Sequence, residues 1–504
     1  MSAAAPVNRC AKHKKYLKEI EVTTDYDLIV IGAGGAGLAA AATAAEAGCS
    51  VLVLEAEDRI GGSTALSDGV FNAAATSVQR ALGLEDSVEA YFDYYMTLNA
   101  WRQPAALIRS FCKNATPTLE WLYSLGVECP AEHVHKVPGA VYPCAAGRPG
   151  LYASGVEWPP RGHVPVGGGQ AYIDALSQRC GALGVQIVLR TRVQRLLTED
   201  GAVVGVDVGG ESVRSHAVAL TCGGIAHDPE LLRRYFPDAY SGFDADYRPD
   251  TISAAGSRGD GIRLGEQVGA LIDGVNCGLL GTMAYFRRTP QKGFPGFQPT
   301  SLIYVNREGR RFADETAPYA VMPGLIKKQG NVVWGVFDEA ARLRSDPSRG
   351  GYAQGWSPDF VLHAVSTGDI ARAETLGRLA LTCGIDAEAL SVSVEQYNDD
   401  LRIGIDRHFD RSLKDLFPIS EPPFYAFEYR PCNVNLTGAG ARINAAAEVL
   451  DRRAKAIDGL YAAGESGAGV IGERYVGGGN SVANALTMGR VLGKSVAVRL
   501  GKAQ

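Results

Sequence analysis

A glycine-rich turn between an apolar strand and an alanine-rich helix constrains the fold of this 504-residue chain most strongly. The run 27–31 (DLIVI) is typical of a parallel strand covered on both faces. The turn 32–37 (GAGGAG) follows it, and residues 38–47 predict a helix. A second apolar strand, 50–54, ends at the acidic Glu55. This order predicts a βαβ unit that binds a dinucleotide.

Each glycine of the turn has a physical role in such a unit. Gly32 allows the tight turn, Gly34 lets the backbone approach a pyrophosphate, and Gly37 lets the helix pack on the strand. The start of the helix offers free N–H groups and a partial positive charge to the phosphates. Glu55 is expected to accept hydrogen bonds from the adenosine ribose. The turn alone does not distinguish NAD from FAD.

Composition excludes several classes of protein. Hydrophobic residues make up 46% and charged residues 21%, which is typical of globular chains, and the net charge of -5 gives no electrostatic reason to expect a nucleic-acid partner. The ten cysteines lack metal-like spacing, so we expect reduced thiols and no structural metal. The N-terminus has no apolar core of signal-peptide length, and no membrane span is expected. We therefore predict a cytoplasmic protein.

Three separated segments resemble parts of FAD-binding proteins. Residues 59–64 (RIGGST) resemble the segment that runs along the pyrophosphate and ribityl chain, and residues 220–224 (LTCGG) resemble the strand and turn that close many FAD domains. Residues 459–465 (GLYAAGE) resemble the second flavin fingerprint, whose acidic residue holds the ribityl chain. The resemblance implies non-covalently bound FAD. The residues expected to bind it are Gly32, Gly34, Gly37, Glu55, Gly62, Ser63, Ser67, Val193, Gly223, Glu465, Asn480 and Ser481.

Four segments together resemble one flavoprotein superfamily, that of fumarate reductase and 3-ketosteroid dehydrogenase. They are residues 32–37, 61–67 (GGSTALS), 309–315 (GRRFADE) and 472–481 (GERYVGGGNS). The resemblance covers most of residues 26–504. It implies that a smaller catalytic domain interrupts the FAD domain and that the active site lies between them at the flavin.

The change in composition along the chain agrees with that division. Aromatic residues, prolines and charged turns increase from about residue 276, where the βαβ rhythm is lost. We predict an α/β protein in which a Rossmann-like FAD-binding domain, 26–275 and 431–504, is interrupted by an α+β catalytic domain, 276–430. Residues 1–25 are predicted to be an N-terminal extension.

The resemblance is closer to the 3-ketosteroid dehydrogenases than to the dicarboxylate reductases. The reductases carry an arginine four residues after the glutamate of the RFxxE segment, and here that position is Tyr319, after Glu315. The reductases also carry a histidine at a late turn, which here reads NLTG, 435–438. In the dehydrogenases, the residue matching Tyr319 accepts the α proton. The residues matching Tyr475 and Gly479 hold the ketone oxygen.

The expected reaction is therefore dehydrogenation of the carbon–carbon bond next to a ketone, or reduction of the corresponding enone. The resemblance implies a small ketone or enone substrate and hydride transfer involving the flavin. No second GxGxxG unit for a nicotinamide nucleotide is present, so a separate electron donor or acceptor is expected. A cation such as Arg311 or Arg474 is a candidate for lowering the pKa of Tyr319.

Two alternatives remain open from the sequence. In a fumarate-type reductase, Arg161, Arg311 or Arg474 would clamp a substrate carboxylate. In a redox complex, the chain would be a flavin-binding subunit without catalysis of its own.

Other candidates carry weaker signals. Arg161 and His163 either border the flavin or are held by backbone carbonyls, and Asp260 is expected to cap a helix. The aromatic candidates for lining a substrate site are Tyr142, Tyr152 and Trp158.

Overall fold

The computed structural model describes residues 25–131, 160–289, 299, 301–317, 321–345 and 356–502. Tyr319, Tyr142, Tyr152 and Trp158 lie outside the described residues.

The strands of the described residues belong to five sheets. In chain order they are β1 Leu28–Ile31, β2 Val51–Leu54, β3 Phe71–Asn72, β4 Gly162–His163, β5 Gln186–Val188, β6 Arg195–Glu199, β7 Ala202–Val208, β8 Glu211–Arg214, β9 Val218–Leu220, β10 Asp250–Thr251, β11 Ile272–Asp273, β12 Gly278–Ala284, β13 Ile303–Val305, β14 Val333–Asp338, β15 Ile370–Ala373, β16 Phe424–Thr437, β17 Gly440–Arg442, β18 Glu448–Leu450, β19 Ala456–Ala462 and β20 Gly467–Ala468.

The α-helices lie between these strands and after the last of them. They are α1 Gly35–Glu46, α2 Gly62–Leu66, α3 Ser77–Ala81, α4 Val88–Leu98, α5 Ala105–Ser124, α6 Gly169–Ala182, α7 Pro229–Tyr235, α8 Asp260–Gln267, α9 Met322–Lys328, α10 Glu339–Leu343, α11 Pro358–Thr367, α12 Leu376–Cys383, α13 Ala387–Ile403 and α14 Asn480–Arg499. Short 3-10 helices occupy Pro237–Tyr240 and Gly464–Ser466.

The main sheet has the strand order β18-β19-β9-β1-β2-β5. All neighbouring strands are parallel except β18 and β19. Every residue of β1 and β2 is buried, which explains why both strands are uniformly apolar rather than alternating. The predicted α/β fold is confirmed, and the glycine-rich turn lies at the carboxyl end of β1.

Helix α14 packs directly on α1 because small residues let the two backbones approach. A Cβ atom added to Gly489 would lie 2.2 Å from the Ala36 carbonyl oxygen. One added to Gly493 would lie 2.5 Å from the Ala40 carbonyl oxygen. Helix α14 directly follows the glycine-rich residues 472–479. Its packing on α1 therefore brings those residues next to the turn after β1.

A second sheet is organised around the long strand β16. The path β10-β16-β14-β13 runs through it, and β12 and β15 also pair with β16. Its two faces contribute to separate hydrophobic clusters, with Phe427 in one and Ala426 in the other, as the two-residue period of a strand requires. Strand β16 runs across the predicted domain boundary at residue 430, and the division into domains stays a prediction.

Two further observations concern the described part of the chain. No helix there combines the length and apolar character needed to cross a bilayer. No group of three or more histidine, cysteine or acidic side chains there is placed to hold a metal ion.

Candidate functional site

The turn after β1 leads into a helix start suited to an anion. Helix α1 begins at Gly35, and its N-cap Gly34 makes no side-chain capping bond, so the first backbone N–H groups of the helix stay open to a ligand. A Cβ atom added to Gly37 would lie 2.0 Å from the Gly32 carbonyl oxygen. Only glycine therefore permits this approach of helix to turn.

Several chain segments converge on that helix start. The Gly61 N–H donates to the Ala33 carbonyl at 2.9 Å, which places the beginning of α2 beside α1. The hydroxyl of Ser63 accepts a hydrogen bond from the Ala254 N–H at 3.0 Å. A Cβ atom added to Gly464 would lie 3.2 Å from the Ala36 Cβ. The predicted flavin segments, far apart in sequence, are thus neighbours in space.

Glu55, at the end of β2, orders the same turn. Its Oε2 accepts the Ala33 N–H at 2.7 Å, and its Oε1 accepts the Glu57 N–H at 2.8 Å. Each carboxylate oxygen has more than one lone pair, so the group retains capacity for a ribose hydroxyl.

Glu465 is a half-buried carboxyl group in the predicted second flavin segment. Burial raises its pKa to about 7, although the Thr437 N–H and hydroxyl lower it by donating to Oε2, at 3.0 and 3.2 Å. Within the described residues no hydrogen bond reaches its Oε1. A Cβ atom added to Gly224 would lie 2.2 Å from Oε2, so the backbone passes very close to the carboxyl group.

These features fit a cofactor with a pyrophosphate and a polyhydroxyl chain. The helix start offers N–H donors to an anion, and Glu465 offers an acceptor oxygen to a hydroxyl. Glu55 offers acceptor oxygens at the end of β2.

Comparison with known proteins identifies the family. Residues 27–482 match the family model described as FAD binding domain. The chain belongs to this FAD-binding family. The prediction that the flavoprotein uses FAD is confirmed.

Relatives of this flavoprotein act on carbon–carbon bonds. It is 28% identical over 488 residues to fumarate reductase (cytochrome) of Shewanella frigidimarina, covering 94% of this chain and 77% of that protein. It is 26% identical over 582 residues to 3-oxosteroid 1-dehydrogenase of Mycobacterium tuberculosis, covering 95% and 99%. The predicted superfamily and enzyme class, an FAD-dependent oxidoreductase acting on CH–CH groups, are confirmed.

Solved structures agree with this assignment. The 3-ketosteroid-Δ4-(5α)-dehydrogenase of Rhodococcus jostii superposes with a TM-score of 0.76 at 26% identity, covering 95% of this flavoprotein and 98% of that chain. The 3-ketosteroid Δ1-dehydrogenase of Sterolibacterium denitrificans gives a TM-score of 0.73 at 21% identity, covering 95% and 100%, which shows the shared fold.

The remaining residues expected to bind FAD differ in what they offer. Gly62 lies against the turn, because a Cβ atom added to it would be 3.5 Å from the Gly34 Cα. The Ser67 hydroxyl donates to the Thr64 carbonyl at 2.7 Å, so it is turned back on its own helix. Val193 is 5% exposed and packs in the main core, whereas the Gly223 carbonyl accepts the Ser466 hydroxyl at 3.0 Å.

Tyr475 and Gly479 lie at the amino end of α14. The Tyr475 side chain is buried at 5% exposure, and its hydroxyl oxygen accepts the Ser481 N–H at 2.8 Å. Gly479 is the N-cap of α14, with a φ of +93°. A Cβ atom there would lie 2.7 Å from the Val70 carbonyl oxygen, so close backbone packing and positive φ both require glycine.

Asn480, the first residue of α14, binds two tyrosines of α4. Its Oδ1 accepts the Tyr91 hydroxyl at 3.1 Å, and its Nδ2 donates to the Tyr95 hydroxyl at 2.9 Å. All three side chains are at most 1% exposed. The side chain of Asn480 is thus engaged with protein, although it was expected to bind FAD.

The three arginines considered as carboxylate clamps hold other partners. Arg161 makes a buried bidentate pair with Asp86, at 2.7 and 2.6 Å. Arg311 pairs with Glu315 and Asp406, each at 2.8 Å. Arg474 is exposed, and its guanidinium donates to the Leu98 carbonyl at 3.4 Å.

His163 and Asp260, two of the weaker candidates, are held by other parts of the protein. His163 is buried, which lowers its pKa, and its ring contacts the Thr76 hydroxyl and the Arg161 carbonyl, each at 2.9 Å. The expectation that Asp260 caps a helix is wrong. Gly259 is the N-cap of α8, and Asp260 lies in the first turn, paired with Arg192.

Sequence reasoning missed several residues that shape the site. Thr437 was read only as part of a turn, and nothing local indicates that it would donate to Glu465. Tyr91, Tyr95 and Asn99 were also missed, although their four-residue spacing places them along one face of α4 and its C-cap.

Proposed function

We propose that this flavoprotein catalyses dehydrogenation next to a ketone of a steroid-like substrate, or the reverse reduction of an enone. The observation that carries the proposal is the buried hydroxyl of Tyr475, which is aligned with the start of α14 by the Ser481 N–H. Kinship with 3-oxosteroid 1-dehydrogenase and with the Δ4-(5α)-dehydrogenase supports a ketosteroid as the substrate class.

The arginine contacts favour this proposal over a dicarboxylate reductase. A carboxylate clamp needs a guanidinium whose N–H fork is available to the substrate. Arg161 and Arg311 are already committed to buried carboxylates, and Arg474 lies at the surface. A ketone needs only hydrogen-bond donors, which Tyr475 and the Gly479 backbone can provide.

In the proposed mechanism, the cofactor and the protein side chains have separate roles. FAD supplies the hydride acceptor in dehydrogenation and the hydride donor in the reverse direction. Tyr475 donates its hydroxyl proton in a hydrogen bond to the ketone oxygen, and the N–H of Ser481 polarises that hydroxyl. The Gly479 N–H is proposed as the second donor. One such donor, aimed at developing enolate charge, contributes about 3 kcal/mol to lowering the barrier.

Tyr319 is proposed as the group that takes the α proton, on the basis of its match to the family position alone. A phenol with an ordinary pKa of about 10 is a weak base at neutral pH and needs a nearby positive charge. Arg311 is a poor source of that charge, because Glu315 and Asp406 neutralise it.

The test compares Tyr475→Phe with the parent enzyme, using 4-androstene-3,17-dione and an artificial dye as electron acceptor. We expect kcat/KM to fall about 100-fold, because one oxyanion donor is lost. FAD content should not change. Tyr397→Phe, which alters a buried tyrosine of α13, is the matched control and should retain full activity.

Two results would contradict the proposal. Turnover of fumarate without turnover of any ketosteroid would favour the dicarboxylate reductase. An enzyme with FAD that dithionite reduces, but that turns over neither substrate class, would favour a non-catalytic flavin subunit.

A further inference from the structure

The segment that carries Tyr475 has little rigidity of its own. It runs from Val470 to Asn480 and contains glycines with positive φ, including Gly477 at +137° and Gly479 at +93°. Glycine-rich backbone has many accessible conformations, so an accurately placed side chain within it needs support from elsewhere.

Asn99, the C-cap of α4, holds the residue immediately before Tyr475. Its Oδ1 accepts the Arg474 N–H at 3.1 Å, and its Nδ2 donates to the Arg474 carbonyl at 3.1 Å. The same Nδ2 lies 3.3 Å from the Tyr95 carbonyl, and Asn99 is 2% exposed. One buried amide therefore satisfies both backbone groups of Arg474.

Helix α4 supports the segment on both sides of that point. The Tyr95 hydroxyl donates to the Val470 carbonyl at 2.6 Å and accepts from Asn480 at 2.9 Å. Tyr91 donates to the other end of the Asn480 amide. Hydrogen bonds thus hold the backbone before Tyr475 and directly beside it, and the side chain of Asn480 after it.

We infer that Asn99 is a positioning residue that sets the location of the Tyr475 hydroxyl, with Tyr95 as a second support. The inference rests on the proposed function, because it assigns Tyr475 a role at the substrate. A hydrogen-bond donor displaced by about 1 Å loses much of its effect on a transition state, up to about 100-fold in rate. Loss of the Asn99 amide frees the peptide from which Tyr475 projects.

A nearby ion pair offers a matched control. Arg102, which lies shortly after Asn99, pairs at 2.6 Å with Glu473 in the segment that carries Tyr475. These two side chains are 59% and 46% exposed. Exposed pairs contribute little to holding a structure, so Arg102→Ala should leave activity unchanged.

The experiment is a double-mutant cycle with Asn99→Leu and Tyr475→Phe in the FAD-loaded enzyme. With 4-androstene-3,17-dione, we expect Asn99→Leu to lower kcat/KM about 10-fold or more. Adding Asn99→Leu to Tyr475→Phe should cause no further loss, because both act through one hydroxyl. FAD content and thermal midpoint are measured for each variant.

The outcomes separate the two proposals. Additive losses in the cycle, or full activity of Asn99→Leu, would overturn the positioning role while leaving the proposed function intact. Full activity of Tyr475→Phe would overturn the proposed function itself. If Asn99→Leu does not fold, Tyr95→Phe replaces it in the cycle, because that change removes only a hydroxyl and its bonds to Val470 and Asn480.

Discussion

At the scale of single residues, the pKa of Glu465 depends on its burial and on its hydrogen bonds. Burial raises its pKa to about 7, against the hydrogen bonds from Thr437. A hydroxyl donor at Oε1 would favour the ionised carboxylate and lower the pKa. If the ribityl chain supplies that donor, FAD binding releases a proton from Glu465 at pH values below about 7.

FAD affinity should therefore increase with pH up to about 7 and level off above it. The sign follows because the complex has the lower pKa and so binds fewer protons than the free protein. Titration of apo-protein with FAD, followed by flavin fluorescence, measures this dependence. Glu465→Gln should remove it, and Glu473→Gln, at an exposed position, should not. An unchanged pH profile in Glu465→Gln would refute the coupling.

Which residues of the site were predictable depends on how local their signal is. Gly37 was predictable because its role depends on Gly32, a few residues away, and Gly479 because it precedes a helix. The approach of Gly479 to Val70 has no such local signal. The pairing of Asn99 with Arg474 joins segments far apart in the chain. No local pattern encodes such a contact, so the sequence alone did not reveal it.

Among the elements, α14 depends on an unusual start. Its N-cap Gly479 combines a φ of +93° with a close approach to Val70. Gly404, the C-cap of α13, has a similar φ of +85° but open space around the position of a Cβ atom. Alanine variants of the two glycines therefore distinguish the cost of a left-handed backbone from the cost of close packing.

Gly404→Ala should lower the free energy of unfolding by about 1–2 kcal/mol, the usual cost of left-handed backbone for alanine. Gly479→Ala should lower it by more, because the new methyl group would lie 2.7 Å from the Val70 carbonyl oxygen. Urea denaturation of both variants measures the difference. Equal losses would show that the approach to Val70 carries no cost.

Elements with strong local periodicity were predictable, and those defined by distant pairing were not. Local sequence patterns predicted the uniformly apolar strands β1 and β2 and the helix α1. Strand β6 was missed because only Leu196 is buried among mostly solvent-accessible residues. Strand β10 has two residues and exists through its pairing with β16.

At the scale of the whole molecule, a buried network of four charges joins distant parts of the second half. Glu315 binds Arg311 at 2.8 Å and Arg411 at 2.9 Å, and Arg311 also binds Asp406. Each of these side chains is at most 6% exposed. The charges are balanced and mutually paired, so removal of one leaves others buried without compensation.

Glu315→Gln should lower the free energy of unfolding by about 3–5 kcal/mol, as expected when one member of a buried ion pair is lost. Glu199→Gln, which breaks an exposed pair with Arg214, should cause no measurable change. Urea midpoints of the two variants provide the comparison. Similar midpoints would mean that the network contributes no more than a surface pair.

The hydrogen bond between the Val166 N–H and the Glu128 carbonyl, 2.9 Å long, has a consequence for how the chain tolerates change. It joins the chain shortly after α5 to the chain shortly after β4, and the Arg161–Asp86 pair holds the residue immediately before β4. Doubling the length of a loop with joined ends costs only about 0.6 kcal/mol of closure entropy. We therefore expect a change in the number of residues between Glu128 and Val166 to leave the dinucleotide-binding sheet unaltered.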